Sequence, residues 1–315
     1  MNILLPKTIT ASMIAAGTTI PAVDTTVGEV AWAPGNYAEG AREIDAGYTY
    51  ECVKPLTAAP QNTYPPSDVR SGGWWFKDEG APSNQMAAFD KYLFTKTRRP
   101  GSFTIVLKPG FVTGLYLGAL EADRVAVTVK AGGVNLIPPI DEELWAQAPG
   151  EWEYLFGELA HATYFTLKDL PIHPDVEIAI TVSRNDPATE AAVGFISVGS
   201  WKRLLAPLPG GMSASQYGME ASTQDYSTYD DMPDGTYREI PGRLATNVRV
   251  SCVIAATQAP NAKSLLDQIL GKAVAVEVSD LPRYGHLSTV GKVTGTVRTE
   301  SWERAQVELQ IKGNV

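Results

Sequence analysis

Hydrophobic and polar residues alternate in short stretches along much of the chain, and these stretches are rich in β-branched residues. They lie at residues 103–108, 124–130, 176–182, 193–198, 247–255, 273–278, 290–297 and 306–311. Successive side chains on a β-strand point to opposite faces, so this pattern predicts strands. Helices do not alternate regularly with these strands, which argues against a parallel α/β sheet.

One segment near the C-terminal end has the pattern of a helix. Asn261 is expected to cap a helix over residues 262–270, with Leu265, Leu266 and Ile269 on one face and Gly271 at its end. Residues 151–159 fit both a strand and a helix. We therefore expect a mainly β protein with a C-terminal helix.

Two turn-rich stretches suggest how the chain is divided. Residues 54–73 contain four Pro and two Gly, and residues 205–216 are also rich in turn formers. A length of 315 residues favours two or three domains. We expect an N-terminal arm (1–28), a small aromatic segment (29–84), a β-sandwich (85–205) and a C-terminal β-rich domain that contains the helix (206–315).

Composition narrows the possible partners. The chain has 26 Lys and Arg against 35 Asp and Glu, a net charge of −9, which disfavours binding to nucleic-acid phosphates. Cys52 and Cys252 are too few for a disulfide framework and are expected to be free, buried thiols. The N-terminal residues lack the pattern of a signal peptide. No apolar stretch is long enough to predict a membrane span.

Catalytic motifs are not found in the sequence. The nearest approach to a phosphate-binding loop, residues 285–292, has five residues between its glycines where four are needed. His161, His173 and His286 lack a neighbouring nucleophile motif. We expect no catalytic residue, no metal site and no cofactor, and a protein that is not an enzyme.

Carboxylates cluster at residues 141–143 and 225–234. The second cluster lacks the spacing of an EF-hand loop, and its Asp234-Gly235 pair predicts a hairpin turn. A glycan-cleaving enzyme that uses two of these carboxylates is the enzymatic alternative.

Aromatic residues concentrate in residues 29–80, where aliphatic residues are few. They are Trp32, Tyr37, Tyr48, Tyr50, Tyr64, Trp74, Trp75 and Phe76. These rings form either a small aromatic core or an exposed platform for sugar rings. Because neighbouring side chains in an extended segment point to opposite faces, one of Trp74 and Trp75 is expected to be buried and the other exposed.

The spacing of these aromatics resembles that of small chitin-binding-type carbohydrate modules. The matching residues are Trp32, Tyr37, Gly40, Tyr48, Tyr50, Pro65, Pro66, Trp74 and Trp75. Ala41 and Arg42 stand where those modules have an acidic residue and a valine. The resemblance implies five candidate glycan-binding residues: Trp32, Tyr37, Tyr50, Trp74 and Trp75.

A second resemblance begins immediately after this segment. Residues 80–90 (GAPSNQMAAFD) and 95–97 (TKT) resemble a stretch of tailed-bacteriophage virion structural proteins, and four further short motifs follow in the same order. These motifs are residues 107–110, 193–199, 217–218 and 225–227.

The phage resemblance implies a structural subunit of a tail, tail tip or baseplate. Such a subunit would form a homo-oligomer, contact other tail or baseplate proteins, and be made in the host cytoplasm before it enters the virion. The alternative is a virion protein that recognises a glycan on the host surface.

Overall fold

The computed structural model describes residues 1–145, 150–157, 161–204, 214–215, 218–232, 235–279 and 282–314. Strands predominate, which confirms the mainly β fold class. The strands are β1 (Asn2–Pro6), β2 (Arg42–Asp45), β3 (Tyr48–Cys52), β4 (Trp75–Pro82), β5 (Thr97–Pro100), β6 (Ser102–Leu107), β7 (Gly114–Glu121), β8 (Arg124–Ala131), β9 (Val134–Asn135), β10 (Ile140–Glu143), β11 (Tyr164–Leu167), β12 (Val176–Ser183), β13 (Glu190–Arg203), β14 (Ala214–Ser215), β15 (Glu220–Asp225), β16 (Thr228–Asp231), β17 (Tyr237–Ile240), β18 (Leu244–Ala255), β19 (Ala273–Glu277), β20 (Thr289–Thr299) and β21 (Arg304–Gly313).

Helices are short. The two α-helices are α1 (Glu151–Phe156) and α2 (Ala259–Ile269). Short 3₁₀ segments lie at Ala11–Met13, Thr25–Val27, Gln61–Thr63, Val69–Ser71, Ala87–Phe89, Ala256–Gln258 and Pro282–Leu287.

All eight predicted strands are present, and most extend beyond the predicted bounds. The ambiguous stretch at residues 151–159 is helical over Glu151–Phe156. Several predicted features fall at least partly outside the described residues, among them residues 158–159 of that stretch, most of the turn-rich stretch 205–216, Tyr217 of the phage-like motifs, and Asp234 of the predicted hairpin turn.

The predicted helix is present, but its predicted cap is wrong. Helix α2 begins at Ala259, so Asn261 lies inside the first turn and does not cap it. Pro260 accounts for the earlier start, because its fixed φ angle suits the first turn of a helix. At the other end Gly271 has a φ of +78°, as expected for a residue that ends a helix.

The chain divides into two compact units. One contains Thr8–Ile196, and the other contains Met1–Lys7 with Ser197–Val315. The first residues belong to the C-terminal unit because β1 pairs antiparallel with the end of β13 and with β19. The first residues of the predicted arm are therefore a strand of the C-terminal unit. The four-part division at residues 28, 84 and 205 stays a prediction.

The N-terminal unit is built mainly from two antiparallel sheets. Strands β10, β8, β12 and β6 form one sheet in that order, with β9 beside β8. Strands β11, β7, β5 and the first part of β13 belong to the other. Along β12 buried and partly buried residues alternate without exception, so one face of its sheet is covered. This arrangement is sandwich-like, as predicted.

The C-terminal unit is a curled antiparallel sheet with α2 packed against β20. The end of β13 is followed by β1, β19, β20, β21 and β18, and β14 and β15 pair with β18. Its core combines aliphatic residues of the strands with Leu266 and Ile269 of α2. Strands β16 and β17 form a separate hairpin whose eight strand residues are all exposed.

Gly199 allows β1 and β13 to approach closely. A Cβ atom at this position would lie 1.9 Å from the carbonyl oxygen of Leu5, far inside van der Waals contact. We expect Gly199→Ala to lower the free energy of unfolding by about 1–3 kcal/mol, the usual cost of overpacking. Gly35→Ala is the control, because the nearest atom to its Cβ is 3.9 Å away. Urea denaturation measures both, and equal stability of the two variants would contradict the strand pairing.

Candidate functional site

The aromatic segment folds on a three-stranded antiparallel sheet of β2, β3 and β4. Ala46 and Gly47 connect β2 to β3, and both have positive φ angles of 50° and 83°. Two left-handed residues in a two-residue loop are typical of a type I′ hairpin turn. Strand β4 then pairs with β3, with Cys52 opposite Trp75. The Pro-rich stretch 54–73 is the long connection between these two strands.

A small core lies on this sheet. Its buried members are Tyr50, Cys52, Leu56 and Trp75. Tyr50 and Trp75 are each only 8% exposed, which leaves little ring surface for a ligand. The ring of Tyr37 meets that of Trp75 edge-on, with 5.0 Å between ring centroids. For Tyr50 and Trp75, two of the five candidate residues, burial favours a structural role.

The other three candidates lie at the border of this core. Trp32, Tyr37 and Trp74 pack against it and are partly buried, and we call them the edge rings. Backbone hydrogen bonds fix all three, since the N–H groups of Trp32, Tyr37 and Trp74 donate to the carbonyls of Ile44, Leu56 and Ser71. Their accessible surface is therefore held by a rigid framework. A sugar-binding role for these residues stays a prediction.

The expected contrast between Trp74 and Trp75 is only partly present. Trp75 is buried, but Trp74 has intermediate exposure, and the well-exposed ring is Phe76 at 63%. The reason is that β4 begins at Trp75, so the strict alternation of faces starts there and includes Phe76.

Two other rings of the segment already have cationic partners. Lys77 lies over the ring of Tyr48, with Nζ 3.4 Å from the centroid. The guanidinium of Arg70 lies 4.0 Å from the ring centroid of Tyr64. A ligand that stacked on either ring would have to displace a cation–π contact.

Two amide side chains lie near the edge ring Tyr37: Asn36 precedes it in the chain, and Asn62 is hydrogen-bonded to Asn36. Asn62 Nδ2 donates to Asn36 Oδ1 at 3.0 Å, and the carbonyl of Asn62 accepts the N–H of Gly35. The buried Oδ1 atom of Asn62 has no hydrogen-bond partner among the described residues. Aromatic rings beside amides supply both the stacking surface and the hydrogen-bonding groups that a sugar requires.

The phage-like motif at residues 80–90 has a structural task that sequence analysis did not identify. Asn84 is buried; its Nδ2 donates to Asp24 Oδ2 at 2.8 Å and to the carbonyl of Arg98 at 2.9 Å. Its Oδ1 accepts the N–H of Arg98. Gln85 Nε2 donates to the carbonyl of Ile20. Through Asn84, these bonds connect Asp24, which precedes the aromatic segment, to Arg98 of β5.

The clustered carboxylates have structural partners. Asp141 makes an ion pair with Arg124, and Asp225 accepts hydrogen bonds from the hydroxyl and N–H of Ser227. Asp230 stands opposite Arg238 in the β16–β17 hairpin. Among the described residues, no three His, Cys, Asp or Glu side chains are close enough to hold a metal ion.

The histidines and cysteines do not form a catalytic group in the described part of the chain. His161 lies 3.5 Å from Asp123 and stacks on Trp145, and His173 Nδ1 accepts the N–H of Asp175. The side chain of His286 lies outside the described residues. Cys52 and Cys252 are free and buried, as predicted, and burial raises the pKa of Cys252 to about 11.

Comparison of the chain with known protein families, with curated proteins and with solved structures finds no match. In the described residues, no helix is both long and apolar enough to cross a membrane.

Replacing Trp75 tests whether the small core holds the aromatic segment together. We expect Trp75→Ala to lower the free energy of unfolding by about 3–5 kcal/mol, because it removes a buried ring and leaves a cavity. Phe76→Ala, the adjacent exposed ring, is the control and should change stability by less than about 0.5 kcal/mol. Thermal and urea denaturation measure both, and similar losses for the two variants would contradict the core.

The carboxyl group of Asp90 should make the stability of the N-terminal unit depend on pH. Burial raises the pKa of this carboxyl from 3.8 to about 6, although Thr95 Oγ1 and the N–H of Tyr92 donate to it. The folded state therefore holds a proton that the unfolded state loses near pH 4. The free energy of unfolding should fall as the pH rises from about 4 to about 6.

Asp90→Asn should remove most of this fall, on the order of 1–2 kcal/mol after allowance for solvent contact, because the amide carries no charge. The amide can still accept from Tyr92 and contact Thr95. Urea denaturation of both proteins at pH 4 and pH 7 measures the difference. An unchanged pH dependence in the variant would show that Asp90 is not responsible.

Proposed function

We infer that the chain is a structural subunit of a phage tail, tail tip or baseplate, and that it acts by assembly and not by catalysis. The main observation behind this proposal is that several large apolar side chains are exposed to solvent. Trp152, Tyr154, Leu155 and Phe156 of α1 are each 66–69% exposed, and Tyr229, Tyr237 and Ile240 of the β16–β17 hairpin are 48–65% exposed. Contiguous exposed patches of this kind mark surfaces that contact other macromolecules.

Two further features support this proposal. The motif that resembles virion proteins contains the buried Asn84 and Gln85, so in this chain its residues serve the fold. Asp141, Asp225 and the described histidines have structural contacts within the fold. A subunit that oligomerises, contacts other tail or baseplate proteins and resides in the virion needs interfaces and no reaction centre.

The test of this function is the composition of purified phage particles. The chain should be present in them at a fixed number of copies per particle, as measured by quantitative mass spectrometry. Absence from intact particles, together with a strictly monomeric purified protein, would overturn the proposal.

A second candidate function is recognition of a host-surface glycan by the edge rings. The Asn36 and Asn62 amides near Tyr37 favour it, because amides beside an accessible ring supply hydrogen-bonding groups for a sugar. Trp74→Ala should then weaken glycan binding by about 5- to 150-fold, the range measured for loss of one stacking ring on flat ligands. Phe76→Ala is the control. Binding is measured by a glycan array followed by titration calorimetry, and the absence of any glycan ligand for the wild type would contradict this candidate.

A further inference from the structure

Four strongly exposed apolar side chains lie together on α1. We call residues 140–145 and 150–157 the acidic aromatic segment. Trp152 and Phe156 contact each other, with 4.4 Å between ring centroids, and Trp145 is 45% exposed. At the usual area per ring, these side chains present on the order of 500 Å² of apolar surface. A helix of six residues has little stability of its own. Exposure of these rings to water is therefore unfavourable unless another surface covers them.

The charge of this segment indicates what covers it. Residues 131–167 contain six Asp and Glu residues and no Lys or Arg. Asp141 is paired with Arg124, whereas Glu142 and Glu151 make no ion pair with a described residue. An anionic membrane surface or a nucleic acid would repel such a segment. The complementary surface is a groove that combines apolar side chains with cations.

The C-terminal unit carries a groove of this kind. It has a volume of about 260 Å³ and lies between β1, the end of β13 and α2. Its lining is mixed: Leu5, Leu204, Ala262 and Leu265 are apolar, Lys202 and Arg203 are cationic, and the other four lining residues have uncharged polar side chains. Both cations are exposed, and neither makes an ion pair with a described residue. We call this the cationic groove. Its volume suits one or two side chains and not a whole helix.

We propose that the acidic aromatic segment of one copy docks into the cationic groove of the next copy. A ring of α1 fills the apolar lining, and Glu142 and Glu151 face Lys202 and Arg203. This inference rests on the proposed function as an assembling subunit. The two surfaces are different patches of one chain, so the interface is heterologous, and repeating it produces a ring or a helical array.

A heterologous interface can be tested with two complementary variants. The segment variant, Trp152→Ala with Phe156→Ala, removes the rings and keeps the groove. The groove variant, Lys202→Glu with Arg203→Glu, removes the cations and keeps the segment. Each variant alone should be a monomer in sedimentation velocity, with association weakened by about 30-fold or more, the effect expected for loss of an interface hot spot. An equal mixture should form a dimer with one copy of each variant and nothing larger.

Matched controls show that the effect belongs to these surfaces. Trp302→Ala removes a ring that is 87% exposed, and Lys272→Glu with Arg298→Glu reverses two exposed cations that do not line the groove. Both controls should oligomerise as the wild type does. Added salt should weaken the wild-type oligomer, because the carboxylates and cations are screened. Since all the altered side chains are exposed, thermal denaturation should give the wild-type midpoint for every variant.

Three results would overturn the docking: a wild type that stays monomeric at its highest soluble concentration, a segment variant that oligomerises normally, or a mixture that stays monomeric. Dimers formed by each variant alone would indicate a self-complementary interface, which also contradicts the proposal. A wild type that is monomeric yet present in purified particles would overturn the docking and leave the proposed function standing. If the two variants form the mixed dimer but the chain is absent from purified particles, the docking would stand and the proposed function would be overturned.

Discussion

The burial of β13 is the constraint on which the rest of the structure depends. Nine consecutive residues of this strand, 191–199, are buried. A strand that is covered on both faces must also pair its backbone groups along its length, because unpaired buried N–H and C=O groups are costly. Its first part pairs with β5 in the N-terminal unit, and its last part pairs with β1 in the C-terminal unit. Gly199 makes the close approach to β1 possible, because a Cβ atom there would lie 1.9 Å from the carbonyl oxygen of Leu5, and at Gly194 a Cβ atom would lie 2.4 Å from the carbonyl oxygen of Leu93.

The aromatic segment and the acidic aromatic segment both belong to the N-terminal unit, and they differ in what their rings pack against. In the aromatic segment, Trp75 and Tyr50 replace the aliphatic side chains that are missing, and the rings that remain accessible are fixed by backbone hydrogen bonds. In the acidic aromatic segment the opposite occurs, because the rings of α1 have no core to enter. The role of an aromatic residue in these two segments therefore depends on whether its ring packs against a sheet. This contrast is the physical basis for assigning stability to Trp75 and contact with other molecules to Trp152.

Much of the fold could be predicted from the sequence, and most of the surface chemistry could not. Most of the eight predicted strands were identifiable because buried and exposed positions alternate along them, whereas β13 and β19 were identifiable as short apolar stretches. The start of α2 was misplaced because Pro260 fits the first turn, which outweighed the capping preference of Asn261. Residues 151–159 were ambiguous because α1 buries none of its large side chains, so no periodic pattern records its conformation. The cationic groove combines Leu5, Arg203 and Ala262, which only the tertiary structure brings together.

We propose that this chain is a virion subunit whose exposed aromatic surface is an assembly interface. A cryo-EM reconstruction of the intact phage particle, at a resolution that shows side chains, tests this proposal. We expect density for this chain in a repeating array, with Trp152 of one copy enclosed by Leu204, Leu265 and Lys202 of the next. A particle in which this chain is present and the rings of α1 face solvent in every copy would contradict it.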